Sequence, residues 1–176
     1  MSAALRPAIG LSIVFFVLLG LVYPLAETGI GQALFAYQAN GSLTSNGSAL
    51  VGQSWTGPRW FQGRPDADNP MATGGSNLGP RSETLVQDVR KQARLLRREG
   101  ITPTPDLVTT SGSGVDPDIS PADAYAQVNA VAKARGMSAA AVRELVNRNI
   151  QPAQFGFLGS AYINVLQLNE ALADLR

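Results

Sequence analysis

Apolar residues crowd one end of the chain and are spread thinly over the rest. From Pro7 to Ala26 no residue carries a charge. As a helix rising about 1.5 Å per residue, this run covers roughly 30 Å, the thickness of one hydrocarbon core. The pattern therefore predicts a membrane-spanning helix over residues 7–26. A cleaved secretory signal is the competing reading, but its apolar part is typically about 7–15 residues and ends at a small-x-small site. Here the run is longer, and Pro24 stands where a small residue is wanted. Arg6 precedes the run and Glu27 follows it, so the retention of positive flanks in the cytoplasm expects residues 1–6 inside and everything after Glu27 outside. Tyr23 suits headgroup depth at the outer end, Pro24 breaks the hydrogen-bond ladder near the exit, and Gly10, Ser12 and Gly20 offer close approach to partner helices.

Beyond the span the apolar positions become periodic. Residues 27–48 read as a membrane-proximal connector, with Ile30, Ala33, Leu34 and Tyr37 at a near-helical spacing that either extends the membrane helix or lies at the interface, and turns at Asn40-Gly41-Ser42 and Asn46-Gly47. Residues 49–176 read as one soluble body of mixed α/β (α+β) class, since short strand-like runs alternate with helical ones. Strands are expected at 49–55, 59–61 and 106–110, with a closing strand leading to Ile163. The turn at Gly63–Asp66 is expected to hold a local Arg64–Asp66 ion pair.

A helix is expected from Pro80 to Gly100, with Leu85, Val89 and Leu96 on one side and Arg90, Lys91, Arg94, Arg97 and Arg98 on the other. That basic side is read equally as a solvated face and as a patch for an acidic partner or lipid headgroups. Ser120-Pro121-Ala122-Asp123 has the form of a capping box opening a helix that ends at Gly136. Ser138 and Asn164 are expected to cap two further helices, the last with Leu168, Leu172 and Leu175 in its stripe.

Composition narrows the chemistry. Fourteen basic and thirteen acidic residues leave a net charge of +1, with no basic stripe of the kind nucleic acid requires. Histidine and cysteine are absent, which excludes disulfides, thiol nucleophiles, serine-histidine dyads and Cys/His zinc sites. Two loops remain as candidates. Gly74, Gly75, Ser76 and Asn77 lie in a glycine-rich loop running into a helix, an arrangement that offers amides to an anion but lacks the lysine of a phosphate-binding loop. Ser111, Gly112, Ser113 and Gly114 precede Asp116 and Asp118, whose carboxylates suit either cation binding through oxygen or turn formation. A membrane-tethered enzyme using Asp116 and Asp118 as an acid–base pair is one alternative, and a free tethered binding protein another.

Taken in order, several short motifs resemble one family. They are the apolar span ending in Tyr23-Pro24-Leu25, Gln38–Leu43, Gly63-Arg64-Pro65, Gly74–Pro80, Leu107-Val108-Thr109 with Ser111–Gly114, Asp116-Pro117, Ile119-Ser120-Pro121, Val131–Arg135 and Asn164–Asn169. Together they resemble the C subunit of the Kdp potassium-transporting ATPase. The resemblance implies a noncatalytic accessory subunit in the bacterial inner membrane. It would assemble with a channel-like potassium-binding A subunit, a P-type ATPase B subunit and a small F subunit. It would also act as a catalytic chaperone that raises the pump's affinity for ATP. It implies no tightly bound cofactor, only ATP shared with the ATP-hydrolysing subunit, and it maps the family's nucleotide-associated glutamine onto Gln127. Position 118 carries Asp where the family often has His. An outward-facing body would keep Gln127 away from ATP, so the expected role is to cap the external mouth of the potassium-binding subunit and change ATP affinity indirectly.

Overall fold

The computed structural model describes residues 4–66, 71 and 73–175. The chain forms two compact units, Met1–Leu43 and Thr44–Arg176.

The first unit is dominated by a helix running from Leu5 to Leu34, whose most apolar 18-residue stretch has a mean hydropathy of 2.4 and is not buried. It comprises α1 (Leu5–Val17), a wider π-helical stretch at Leu18–Val22, and α2 (Tyr23–Leu34). Pro24 lies within the helix, and the near-helical spacing after Thr28 extends it beyond the expected residue 26 to Leu34. A proline ring clashes with the carbonyl four residues back, here Gly20, and the widened turns that include Gly20 give it room. The helix finally breaks at Phe35 (φ −136°, ψ 41°), and the short α3 (Ala36–Ala39) follows. Asn40 closes this unit by donating to the Ala36 carbonyl (2.6 Å) and exchanging amide bonds with Gln32 (3.1 and 3.3 Å).

The second unit is mixed, with five helices and two small sheets among its described residues. At its entry β1 (Leu43–Thr44) and β2 (Gly47–Ser48) form a hairpin. Its tip is held by Asn46 donating to Glu170 (2.8 Å). The helices are α4 (Glu83–Arg98), α5 (Pro105–Val108), α6 (Pro121–Arg135), α7 (Ala139–Asn149) and α8 (Val165–Asp174). A second sheet pairs β3 (Asp118–Ile119) antiparallel with β4 (Ile163–Asn164).

The caps explain the helix starts. Ser120 accepts from the Asp123 amide (3.2 Å) while Asp123 accepts from the Ser120 amide (3.0 Å), a complete capping box with Pro121 in the first turn. Gly136 ends α6 at φ +70°, where a side chain would be strained. Ser138 and Asn164 cap α7 and α8 as expected. Ser82, rather than Pro80, caps α4.

Residues 105–110 overturn the strand expectation. Thr104 accepts from the Leu107 amide (3.4 Å), Pro105 takes the first turn and Asp106 follows, so the helix-start signature wins over the β-branched Val108-Thr109-Thr110.

The expected strands at 49–55 and 59–61 are also absent, and at Phe61 and Gln62 the reason is chemical. The buried amide of Asn169 accepts from the Phe61 N–H (2.9 Å) and donates to the Phe61 carbonyl (2.9 Å). Gln127 does the same for Gln62, at 2.8 and 3.0 Å. Two side chains thus supply the pairing that a neighbouring strand would have supplied. Arg135 adds bonds to the Arg59 and Leu172 carbonyls (both 2.9 Å) and lies 4.5 Å from the Trp60 ring centroid. Phe61 sits at the centre of the core with Leu107, Val128, Val146, Leu168 and Leu172.

The closing strand shrinks to Ile163–Asn164. Before it the chain folds back on itself, with backbone pairs Gln151–Tyr162 and Gln154–Leu158, and carries Phe155 and Phe157 at its tip.

Candidate functional site

The two loops singled out by their glycines and serines come together. The Gly74 amide donates to the Ser113 carbonyl (2.6 Å). A Cβ added at Gly75 would lie 3.1 Å from the Gly112 carbonyl oxygen, and one at Gly114 only 2.5 Å from that of Gly74. Backbone meets backbone here because both partners lack side chains. Gly114 also needs its freedom of conformation, at φ +71°.

Asp66 organises this junction. Its carboxylate accepts from the Ser111 amide and hydroxyl (both 2.6 Å) and from the Asp116 amide (2.8 Å). The expected Arg64–Asp66 pair is replaced: Arg64 faces Asp106 at 3.5 Å and donates to Thr109 Oγ1 and the Thr110 carbonyl. Separating the two charges leaves Asp66 free for two backbone amides and the Ser111 hydroxyl, which together use a carboxylate better than a single cation does. The loop is tied further by Gly52 donating to the Val115 carbonyl (2.8 Å) and Val165 to that of Pro117 (2.9 Å).

Asp116 and Asp118 act largely on their own surroundings. Asp116 Oδ1 accepts from the Asp118 amide (3.1 Å), and Asp118 Oδ1 accepts from Asn164 (3.0 Å). Burial pushes the Asp118 carboxyl above its ordinary range and the charge of Asp116 adds to this, while the Asn164 bond opposes it. Among the described residues no group of three or more carboxylates, histidines or cysteines converges.

The exposed parts of the paired loops are Gly74, Ser76, Asn77, Gly112 and Ser113, whereas Ser111 and Gly114 are buried. Beside them lies a cleft of ≈ 240 Å³ whose lining includes Trp55, Gln62, Arg64, Glu99 and Asp116. Gln62 reaches from it to Glu99. Trp55 packs on Trp60 at 5.0 Å between centroids, so these rings serve as core and platform. Gln127 stands apart from the loops. It is 0% exposed and both its amide atoms are engaged by Gln62, so a nucleotide could reach it only by opening the core.

Sequence reasoning missed the part of Asp66 in joining the loops, the pairing by Asn169 and the aromatic tip. Asn169 announces itself as a polar residue falling among Val165, Leu168 and Leu172 on the buried face of α8. Phe155-Gly156-Phe157-Leu158-Gly159 reads as strand by composition, yet its two glycines sit at positive φ and turn it into a tip. Phe155 and Phe157 are 80% and 75% exposed.

Comparison with known proteins accounts for nearly the whole chain. The family model described as KdpC, K+-transporting ATPase c chain, matches residues 5–174. The potassium-transporting ATPase KdpC subunit of Caulobacter vibrioides is 47% identical over 98% of this chain and 93% of its own length. That of Sorangium cellulosum is 47% identical over the full length of both chains. That of Allorhizobium ampelinum is 46% identical over 98% of this chain and 96% of its own length.

Proposed function

Because the chain belongs to the K+-transporting ATPase c chain (KdpC) family, we propose that it is the noncatalytic accessory subunit of an ATP-driven potassium uptake complex. The observation that carries this reading is the end-to-end correspondence with the Sorangium subunit: apolar helix and body are both covered, so the role belongs to the whole chain. The N-terminal helix anchors the subunit, and its flanks favour residues 1–6 in the cytoplasm and the body outside. The partners are the channel-like potassium-binding subunit, the ATP-hydrolysing subunit and the small fourth subunit.

The body seats on the potassium-binding subunit near its external mouth. Two features suit it for docking: the paired loops with exposed Ser76, Asn77, Gly112 and Ser113, and the tip with Phe155 and Phe157, whose apolar surface is exposed among the described residues. Its effect on ATP affinity is indirect, through stronger binding to one pump state than another. The engagement of Gln127 by the Gln62 backbone supports this over direct nucleotide contact. The noncatalytic role is supported by the use of Asp116 and Asp118 to hold their own loop.

The test is to tag this chain, co-express it with its three partners and purify in mild detergent. Co-elution in fixed ratio is expected, with the F155D/F157D double variant recovering at least tenfold less partner. A pump that assembles and binds ATP equally well without this chain would refute the proposal. Placement is checked with A140C, exposed on α7 and outside both docking features, and a membrane-impermeant thiol reagent on intact cells, where labelling is expected.

A further inference from the structure

The proposed function makes no use of α4, although this helix has the least ordinary surface in the body. Of its sixteen residues only Leu96 is buried. At about 100° per residue, Leu85, Val89, Gln92 and Leu96 share the inward side, and Arg90, Lys91, Arg94, Arg97 and Arg98 form a ridge opposite. All five cations are exposed. Val86 and Leu95, 39% and 43% exposed, border the ridge on its two sides.

The charges on this ridge repel one another. Arg90–Arg94 and Arg94–Arg98 are four apart, Lys91–Arg94 and Arg94–Arg97 three apart, and like charges at these spacings weaken a helix. Four other cations of the body are engaged: Arg64 with Asp106, Arg135 with carbonyls and Trp60, Arg143 over Tyr125, and Arg148 with Glu144. None of the five on α4 has an acidic partner within 4 Å among the described residues. Of the nearby acids, Glu83 and Asp88 lie in the N-terminal half of the helix, and Glu99 is engaged by Gln62. An ordinary solvated face mixes the two signs.

We propose that the Arg90–Arg98 ridge of α4 is a docking surface for the headgroups of anionic phospholipids. Its cations supply the charge complementarity, and Val86 and Leu95 supply the apolar borders that let such a helix settle at a headgroup boundary. The occupant is lipid because the same chain carries a helix long and apolar enough to cross a bilayer. A bilayer is then always within tether range, at high effective concentration. The inference holds for either leaflet and does not depend on the assembly proposed above.

The chain has no cysteine, so a single one reports cleanly. Gln87, exposed and aligned with the ridge, is replaced (Q87C) and labelled with a polarity-sensitive dye in the full-length chain. The labelled protein is reconstituted in nanodiscs of phosphatidylcholine alone or with phosphatidylglycerol. A blue shift is expected only with phosphatidylglycerol, reversed by about 0.5 M salt, where screening shortens to roughly 4 Å. Arg94→Gln should lower the ratio of docked to undocked helix about fivefold. The triple variant R90E/R94E/R98E should abolish the shift without altering the circular dichroism, since all three positions are exposed. Equal emission in the two lipids, or a shift that survives the triple variant, overturns the proposal. So does a dye that responds only when partner subunits are added and does so alike in both lipids, because the ridge would then face an acidic protein.

Discussion

The helix from Leu5 to Leu34 and helix α6 invert the usual link between apolarity and burial. The first is the most apolar stretch of the chain, and none of its span window is buried. The second is only weakly amphipathic, yet Asp123, Ala124, Gln127, Val128, Ala130, Val131 and Ala132 are all buried. Burial in the body follows fit and hydrogen-bond satisfaction: Ala and Val pack closely, and Asp123 and Gln127 find every partner they need. The N-terminal helix keeps its apolar surface outward because its solvent is lipid, as befits a subunit of a membrane ATPase family.

If the two regions obey different solvents, they can be broken separately. The largest effect is expected from replacing Gln127 and Asn169 together by alanine. This strands two N–H groups and two carbonyls at Phe61 and Gln62, at about 1–3 kcal/mol for each unpaired group. The body should lose its cooperative thermal transition in detergent, while the chain stays in the membrane pellet after alkaline extraction. Loss from the pellet would mean that the body, rather than the helix, retains the protein.

Leu18→Arg is the converse. A central arginine costs about 2.5–3.5 kcal/mol of insertion. The extractable fraction should rise severalfold, with the thermal midpoint of the body unchanged.

The smallest effect concerns Asp118, which sharpens the point about burial with partners. Burial, aided by Asp116, raises its folded-state pKa above the ordinary 3.8. The folded protein therefore binds this proton more tightly than the unfolded chain. The group's contribution to stability is complete below the ordinary value and is lost as pH rises through the folded one. Asp118→Asn keeps an acceptor for Asn164 and removes the titration. Its melting temperature should match the parent at the acid end and exceed it by a few degrees at neutral pH. A parent that gains stability over the same rise, relative to the variant, would contradict the sign.

Local signals were legible wherever a few neighbouring residues decide the outcome. Ser120-Pro121-Ala122-Asp123, Ser138 and Asn164 cap helices where the sequence places caps, and Gly136 ends α6, because a cap is satisfied within three or four residues. The stretches 49–55 and 59–61 were misread for the opposite reason. Trp55, Trp60 and Phe61 favour extended backbone, but where its hydrogen bonds go is settled only by packing: the Gly52 amide goes to Val115, and those of Phe61 and Gln62 go to Asn169 and Gln127, 108 and 65 residues away. The site divides in the same way. The glycines and serines of the two loops marked them as special, whereas their contact, and the part of Asp66 in holding it, joins segments 45 residues apart.

By itself the amino-acid order determined the apolar helix, the helix caps, the exclusion of thiol and imidazole chemistry, and the family. Each of these rests on residue type and on the order of residues along the chain, with no contact between distant segments needed. Only the tertiary structure decided that Arg64 turns to Asp106, that Gln127 and Asn169 stand in for a β-strand at Phe61 and Gln62, that two glycine loops touch, and that the five cations of α4 have no acidic partner within 4 Å among the described residues. A buried polar group must be paired with whatever the fold brings near, and a one-dimensional pattern names the group but not its partner.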